Sequence, residues 1–184
     1  MAASQVSICN GARARIGAPP ILSLSEDTKR ARACNIAWQP SLDGLLAEHA
    51  WPFALTRASL ARLADPPAFG FSYAFQLPPD FISIPDEQEA SYQIEGTQYL
   101  TDAESVRLRY VRRVDDPNLF PPSFVELLAI KLASELALTV TRKASDYEGM
   151  ITLYRARLEE VKAIVSKNQG VTQERAAYWT EGRG

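Results

Sequence analysis

The spacing of apolar residues changes twice along this chain, from helical to alternating near residue 51 and back to helical near residue 115. A helix repeats its buried face about every 3.6 residues and a strand about every two, so one segment cannot satisfy both patterns. The chain must therefore place helices at both ends and strands between them. We predict an α+β fold in which both chain ends form an antiparallel helical bundle with a small antiparallel β unit inserted.

These two changes, together with the loss of periodicity after residue 169, divide the chain into four segments. Residues 1–50 and 115–169 are predicted to form the two parts of the helical bundle, and residues 51–114 the inserted β domain. Residues 170–184 have few aliphatic side chains and no sustained period, so we predict an extended carboxyl-terminal tail. With 46% hydrophobic and 23% charged residues among 184, the chain is long enough for one packed domain carrying an insertion.

Two helical segments precede the strands. Ser4 is predicted as the N-cap of the first, and Gly17 as the residue that ends it. The second starts near Asp27 or Thr28 and contains Pro40. Because proline removes a backbone donor and clashes with the preceding turn, we expect either a kink there or two shorter helices in line.

The only histidine, His49, follows the second segment in the stretch HAWPFA. A histidine in such a corner could serve a Ser-His-Asp or Cys-His catalytic site. The alternative is that His49 merely ends a helix, where a cationic or hydrogen-bonding side chain is favoured, while Trp51 and Phe53 pack at the corner. We favour this structural interpretation.

Six segments between residues 51 and 114 alternate apolar and polar residues, as strands do. They are PFALTRASL, SYAFQL, FISI, YQIEG, TQYL and VRLRYVRRV. Gly96 and Thr97 separate two of them, which predicts a hairpin. In the last segment the apolar and basic residues fall on opposite faces. One face carries Val106, Leu108, Tyr110 and Val114, and the other Arg107, Arg109 and Arg113.

Two further helices are predicted after residue 115. Residues 123–143 are apolar on nearly every side, so this helix needs cover all round. We assign Leu128, Leu132 and Leu136 to packing, either against other helices or against a neighbouring subunit. The following helix, beginning at Ser145, has one apolar stripe and one charged face.

Composition and motifs narrow the classes of function. The formal net charge of -2 gives no whole-chain attraction to nucleic acid or to an anionic membrane. The chain has no apolar run of 18 residues, so we expect no membrane-spanning helix. Its start lacks the pattern of a signal peptide, so we expect no signal peptide either. Cys9 and Cys34 are predicted as buried thiols, with a disulfide or a metal site as alternatives. No cofactor or hydrolase motif occurs, and we expect no cofactor.

Two weaker chemical signals stay open. Glycoside hydrolysis needs only two carboxylates, and Asp80, Asp86, Glu87, Glu89 and Glu95 lie in the β unit. The arginine face of VRLRYVRRV could contact phosphate, although a basic strand face is more often solvated or paired with carboxylates.

Four blocks of the sequence resemble the tail tubular protein A, or head-to-tail adaptor, family of tailed bacteriophages. The blocks span most of residues 4 to 140, and their order and spacing carry the resemblance. They read SICNGARARIG, CNIAWQPSLDGLLAEHAWPFA, YAFQLPPDFISI and YQIEGTQYLTDAESVRLRYVRRVDDPNLFPPSFVELLAIKLASELA. Family members often read H-P-W-N-F-A where this chain has HAWPFA, so the proline is displaced here.

The resemblance implies a structural protein of the virion and not an enzyme. Such a protein is made in the host cytoplasm and forms a homo-oligomeric ring of about twelve copies at the head-tail interface. The ring would bind the portal protein on one side and the tail nozzle or tail-tube protein on the other. Viral DNA would pass through its lumen without sequence-specific binding, and no membrane is involved. The alternative is a virion-associated peptidoglycan hydrolase that uses carboxylates of the β unit.

Within the predicted tail, aromatic and arginine residues stand out. Tyr178 and Trp179 are adjacent, with Arg175 and Arg183 on either side. These residue types most often anchor interfaces. We therefore predict that these four residues contact the portal or a neighbouring subunit.

Overall fold

The computed structural model describes residues 3–85, 91–140 and 143–178, with side chains at all of them except 138 and 168–178. These residues form four α-helices and two antiparallel sheets of three and four strands, which confirms the predicted α+β class. The chain divides into two compact units. Leu46–Asp115 form the β unit, and the residues on either side, up to Leu45 and from Asp116, form the helical unit.

The first helix, α1 (Gln5–Arg15), has both predicted end signals. Ser4 caps it through a reciprocal pair of hydrogen bonds, in which the Ser4 Oγ accepts from the Ser7 N–H at 3.1 Å and the Ser7 Oγ accepts from the Ser4 N–H at 2.9 Å. Gly17 follows the last turn at a φ of +64°, a backbone conformation that costs glycine little because it lacks a Cβ.

The second helix, α2 (Lys29–Ala47), is continuous through Pro40, so the alternative of two shorter helices is wrong. The Thr28 Oγ1 accepts from the Ala31 N–H at 3.2 Å, which supports the predicted start. Pro40 leaves the carbonyl of Ile36 without its helical donor. The helix nevertheless continues because its later residues bury their side chains fully, among them Leu42 and Leu45.

The third helix, α3 (Pro122–Val140), begins with a proline at its first position, where a missing N–H costs nothing. The fourth helix, α4 (Ala144–Tyr178), runs past the predicted boundary at residue 169. The extended conformation predicted for residues 170–178 is therefore wrong. Gly170 disfavours a helix by about 1 kcal/mol relative to alanine, but the good helix formers in TQERAA follow it. Residues 179–184 of the predicted tail lie outside the described residues.

α3 and α4 run antiparallel, because their contacting pairs are numbered in opposite directions. The Lys131 Nζ lies 3.4 Å from the Tyr154 Oη, and the Arg157 Nη2 lies 3.1 Å from the Glu126 Oε2. With 35 residues against 19, α4 is about 52 Å long and α3 about 28 Å. The later turns of α4 therefore continue past the start of α3.

The apolar surface of α3 is already covered within the single chain. Leu128 and Leu132 are 0% exposed and Leu136 is 1% exposed. α1 and α2 approach α3 at two glycines: a Cβ at Gly11 would lie 3.8 Å from the Cβ of Ala129, and one at Gly44 would lie 3.3 Å from the Lys131 side chain. A neighbouring subunit is not needed to explain why this helix is apolar all round.

The β unit contains all six predicted strands and one further short strand. The three-stranded sheet has the order β1-β7-β4, and the four-stranded sheet the order β2-β3-β6-β5. The strands are β1 (Leu55–Ser59), β2 (Ala61–Arg62), β3 (Tyr73–Gln76), β4 (Phe81–Ser83), β5 (Tyr92–Glu95), β6 (Gln98–Thr101) and β7 (Arg107–Arg112).

The predicted hairpin and the predicted core face of the last strand are both present. Glu95 pairs with Gln98, so two residues connect β5 to β6, and Gly96 has a φ of +58°. Apolar residues from both sheets meet in one cluster. Its buried members are Phe75, Leu77, Tyr99, Val106, Leu108 and Tyr110.

Candidate functional site

β1 and β7 place three arginines on one face of the three-stranded sheet. In the antiparallel register Arg57 lies directly opposite Arg109, and Ser59 lies opposite Arg107. The alternate residues of β7, Leu108 among them, are buried in the core of the β unit. Because successive side chains of a strand point to opposite faces, the arginines point away from that core.

These side chains line a concavity of about 400 Å³, formed by residues 57–59 and 107–109. We call it the arginine concavity. Arg57 and Arg107 are exposed, and the side chain of neither makes a hydrogen bond or ion pair with any residue in the part of the chain that the structure describes. Like charges directly opposite each other destabilise a sheet pair. This surface is therefore suited to an anionic ligand.

A second recess lies between α2 and α3 in the helical unit. It has a volume of about 570 Å³ and a mainly apolar lining that includes Pro40 and Leu136. Ile36, which also lines it, is 75% exposed. The Ser41 Oγ at its wall is buried and has no hydrogen-bond partner among the described atoms. The charged residues around the recess are Lys29, Arg32, Lys131 and Glu135.

A buried arginine joins the two cysteines at the contact of α1 with α2. Arg13 is 1% exposed, and its Nε donates to the Pro19 carbonyl at 2.7 Å. Cys9 and Cys34 are free thiols and buried, as predicted. The hydrogen bond with Cys9, and then the Arg13 guanidinium, lower the pKa of Cys34 to about 6 against the opposing effect of burial. The same thiol–thiol hydrogen bond, with burial, raises the pKa of Cys9.

Sequence reasoning missed Arg13 as a partner of these thiols. The available signal was its position four residues after Cys9, which puts a cation on the apolar face of α1. A buried cation needs a counter-charge or hydrogen-bond acceptors. The Pro19 carbonyl and the Cys34 sulfur are such acceptors.

Fold stability should depend on pH through this cluster. The folded pKa of Cys34 is about 6 and its ordinary value is 9.0. As pH rises between these values, folding releases a proton that the unfolded chain still holds, so the free energy of unfolding should rise. For one proton the slope is at most about 1.4 kcal/mol per pH unit. At pH values above 9.0 the unfolded chain loses the protons of both thiols, whereas the folded chain keeps the proton of Cys9 because the pKa of Cys9 is raised. The free energy of unfolding should then fall as pH rises.

Urea unfolding at a series of pH values measures this dependence. Cys34→Ser should flatten the rise, whereas the matched variant Cys9→Ser should keep it, because a serine hydroxyl can still donate to the Cys34 thiolate. An equal slope in the wild type and in Cys34→Ser would show that Cys34 stays protonated in this range.

His49 lies two residues beyond the end of α2. Its ring meets that of Trp51 edge to face, with 5.1 Å between the ring centroids. The Trp51 N–H donates to the His49 carbonyl at 2.9 Å, and the Trp51 carbonyl accepts from Ala54 at 2.9 Å. These contacts agree with a turn between helix and strand, and the structural interpretation of His49 stays a prediction.

Of the five candidate carboxylates, the structure describes two. Asp80 precedes β4, and its Oδ1 accepts from the Tyr110 Oη at 2.9 Å. Burial, and then Asp80, raise the pKa of Tyr110 to about 12. Glu95 ends β5 in the other sheet, where its Oε1 accepts from Gln93 at 3.0 Å. Asp86, Glu87 and Glu89 lie outside the described residues.

The predicted interface residues near the end of the chain are only partly described. Arg175 and Tyr178 lie on α4, but their side chains are not described. Trp179 and Arg183 lie outside the described residues. Their role therefore stays a prediction.

Among the described residues, no helix has the length and hydropathy needed to cross a membrane. Nor does this part of the chain contain a group of three or more His, Cys, Asp or Glu residues that could hold a metal ion. Comparison with protein-family models finds no match, and no curated protein sequence matches the chain.

Proposed function

We propose that the chain is a structural head-to-tail adaptor of a tailed bacteriophage. The observation that carries the proposal is the order of its parts. A β unit interrupts a helical unit to which residues from both sides of it contribute. The sequence blocks that resemble the adaptor family follow the same order, with helical blocks before and after the strand blocks.

We further propose that the helical unit is an antiparallel bundle. The antiparallel α3–α4 pair supports this arrangement, and so does the close approach of α1 and α2 to α3 at Gly11 and Gly44. A bundle of this kind gives each subunit a rigid body that can repeat around a closed ring.

In this proposal the end of α4 contacts the portal protein or a neighbouring subunit. α4 continues past the start of α3, and Val161 is its last buried residue among those with described side chains. Ile164, one turn further on, is 59% exposed. An apolar side chain exposed on a projecting helix gains stability when a partner covers it. Tyr178 and Trp179 would then be the aromatic anchors.

The complete proposal places this protein in the virion, at the head-tail interface. A homo-oligomeric ring would bind the portal on one side and the tail nozzle or tail-tube protein on the other, and would continue the DNA channel. The function would then be assembly and not catalysis.

Electron microscopy and sedimentation of the purified chain mixed with its cognate portal protein test the proposal. We expect ring-shaped density attached to the portal ring. A chain truncated after residue 169 should keep its thermal transition but bind the portal at least tenfold more weakly, a loss of about 1.4 kcal/mol. The matched control is a chain truncated after residue 179, which keeps both aromatic anchors.

Two results would contradict this assignment. A chain that neither self-associates nor binds the portal would rule out the adaptor role. Turnover of cell-wall substrate that Glu95→Gln or Asp80→Asn abolishes would instead support the hydrolase. Portal binding that is equal in the two truncated chains would leave the adaptor role intact but would exclude the end of α4 as the contact.

A further inference from the structure

We propose that the arginine concavity, with Arg57, Arg107, Arg109 and Ser59, binds the phosphate backbone of duplex DNA without reading its sequence. The proposal goes beyond the adaptor role, which assigns no DNA-contacting residue. It also stands independently of that role, because it requires only the face formed by β1 and β7.

The sheet holds the three guanidinium groups close together. Arg107 and Arg109 are two residues apart on one strand, about 6.8 Å between their Cα atoms. Arg57 is the direct cross-strand neighbour of Arg109, and about 4.5 to 5.5 Å separates the Cα atoms of such a pair. The ladder between β1 and β7 runs from Leu55 to Ser59, so the strand register holds Arg57 opposite Arg109. Their mutual repulsion falls when an anion lies between them.

The chemistry of this surface suits phosphate. Guanidinium groups offer two parallel N–H donors that match phosphate oxygens, and they stay charged at any physiological pH. Ser59 adds a hydroxyl donor opposite Arg107. Arg57 and Arg107 have no carboxylate partner among the described residues, so binding phosphate would break no ion pair that they make there.

Nucleic acid fits this face better than a protein partner does. Hot spots of protein interfaces combine arginine with tryptophan or tyrosine in well-packed apolar surroundings. None of the large hydrophobic side chains that are exposed in the described part of the chain lies on β1 or β7; they are Leu22, Ile36, Phe69, Tyr92, Ile94, Leu119, Leu153 and Ile164. A cationic face without such apolar surroundings is typical of contact with the DNA backbone.

Fluorescence anisotropy of a labelled random-sequence duplex, titrated with the full chain at several salt concentrations, tests this proposal. Each phosphate contact changes the slope of log K against log salt by about -0.9, so contacts from Arg57 and Arg107 predict a slope of about -1.8. The triple variant R57Q/R107Q/R109Q should bind at least tenfold more weakly at low salt. The slope of log K against log salt should lose most of its magnitude in this triple variant. Arg57→Gln alone should reduce the magnitude of the slope by about one.

The matched control removes three exposed arginines from the helical unit, as R30Q/R32Q/R155Q, and should retain wild-type binding. Circular dichroism verifies that each variant folds; if the triple variant does not, the exposed single change Arg57→Gln decides the question. Inorganic phosphate should compete with the duplex, whereas polyglutamate should not bind with comparable affinity. Equal losses in the two triple variants, an unchanged slope in Arg57→Gln, or polyglutamate binding as tight as that of DNA would overturn the proposal.

Discussion

Leu128→Glu should unfold the helical unit, lowering the free energy of unfolding by about 4 kcal/mol or more. Leu128 is 0% exposed on α3. Glutamate at this position would place a carboxyl group among apolar side chains. Whether ionised or protonated, the carboxyl group would lose the hydrogen bonds that it makes with water in the unfolded chain. Since domains are typically stable by about 5 to 15 kcal/mol, this loss removes much or all of the stability.

The effect should appear in the isolated chain, because α3 is covered by its own chain. Urea unfolding monitored by circular dichroism measures it without any portal protein. Leu153→Glu is the matched control: Leu153 lies on α4 and is 44% exposed, so this change should shift stability by about 0.5 kcal/mol or less. A Leu128→Glu chain that folds normally alone but fails to assemble would restore the interpretation that a neighbouring subunit covers this helix.

For helix α3, the sequence alone predicts which residues are buried but not what covers them. Its pattern predicts that Leu128, Leu132 and Leu136 pack against something, and all three are buried. The periodicity of a helix reveals which face is apolar but not what covers it. The choice between cover by the chain's own helices and cover by a second subunit therefore needed the structure.

Local signals predicted the ends of α1 correctly, because a cap depends on residues only a few positions apart. Ser4 and Gly17 carry those signals in their own side-chain chemistry and backbone freedom. The continuation of α2 through Pro40 was not predictable in the same way. It depends on burial of the later turns, which tertiary contacts decide.

In the candidate surfaces, too, local spacing was predictable from the sequence and tertiary contacts were not. Alternation within β7 predicted that Arg107 and Arg109 share a face, because strand periodicity is local. The third member, Arg57, comes from β1, some fifty positions earlier, and only the strand register brings it opposite Arg109. The thiols of Cys9 and Cys34 likewise meet through helix packing, which no spacing rule within the sequence encodes.

Replacing Trp51 should also destabilise the fold strongly, because Trp51 has the biggest fully buried side chain in the described part of the chain. It is 2% exposed, and its backbone carbonyl accepts from both Ala54 and Leu55 as β1 begins. Its side chain therefore fills space at the corner where the chain enters the β unit, and its backbone directs the chain into the first strand.

Trp51→Ala should lower the free energy of unfolding by about 3 to 5 kcal/mol, because the surrounding side chains can close only part of the cavity that the indole leaves. His49→Asn is the matched control: it removes the ring contact with Trp51 but should cost only about 1 kcal/mol, the usual range for a residue that ends a helix. Urea unfolding monitored by circular dichroism compares the two variants. A His49→Asn protein that folds normally but no longer binds the portal would show that the histidine acts in function, and a Trp51→Ala protein of unchanged stability would show that this corner contributes little to the fold.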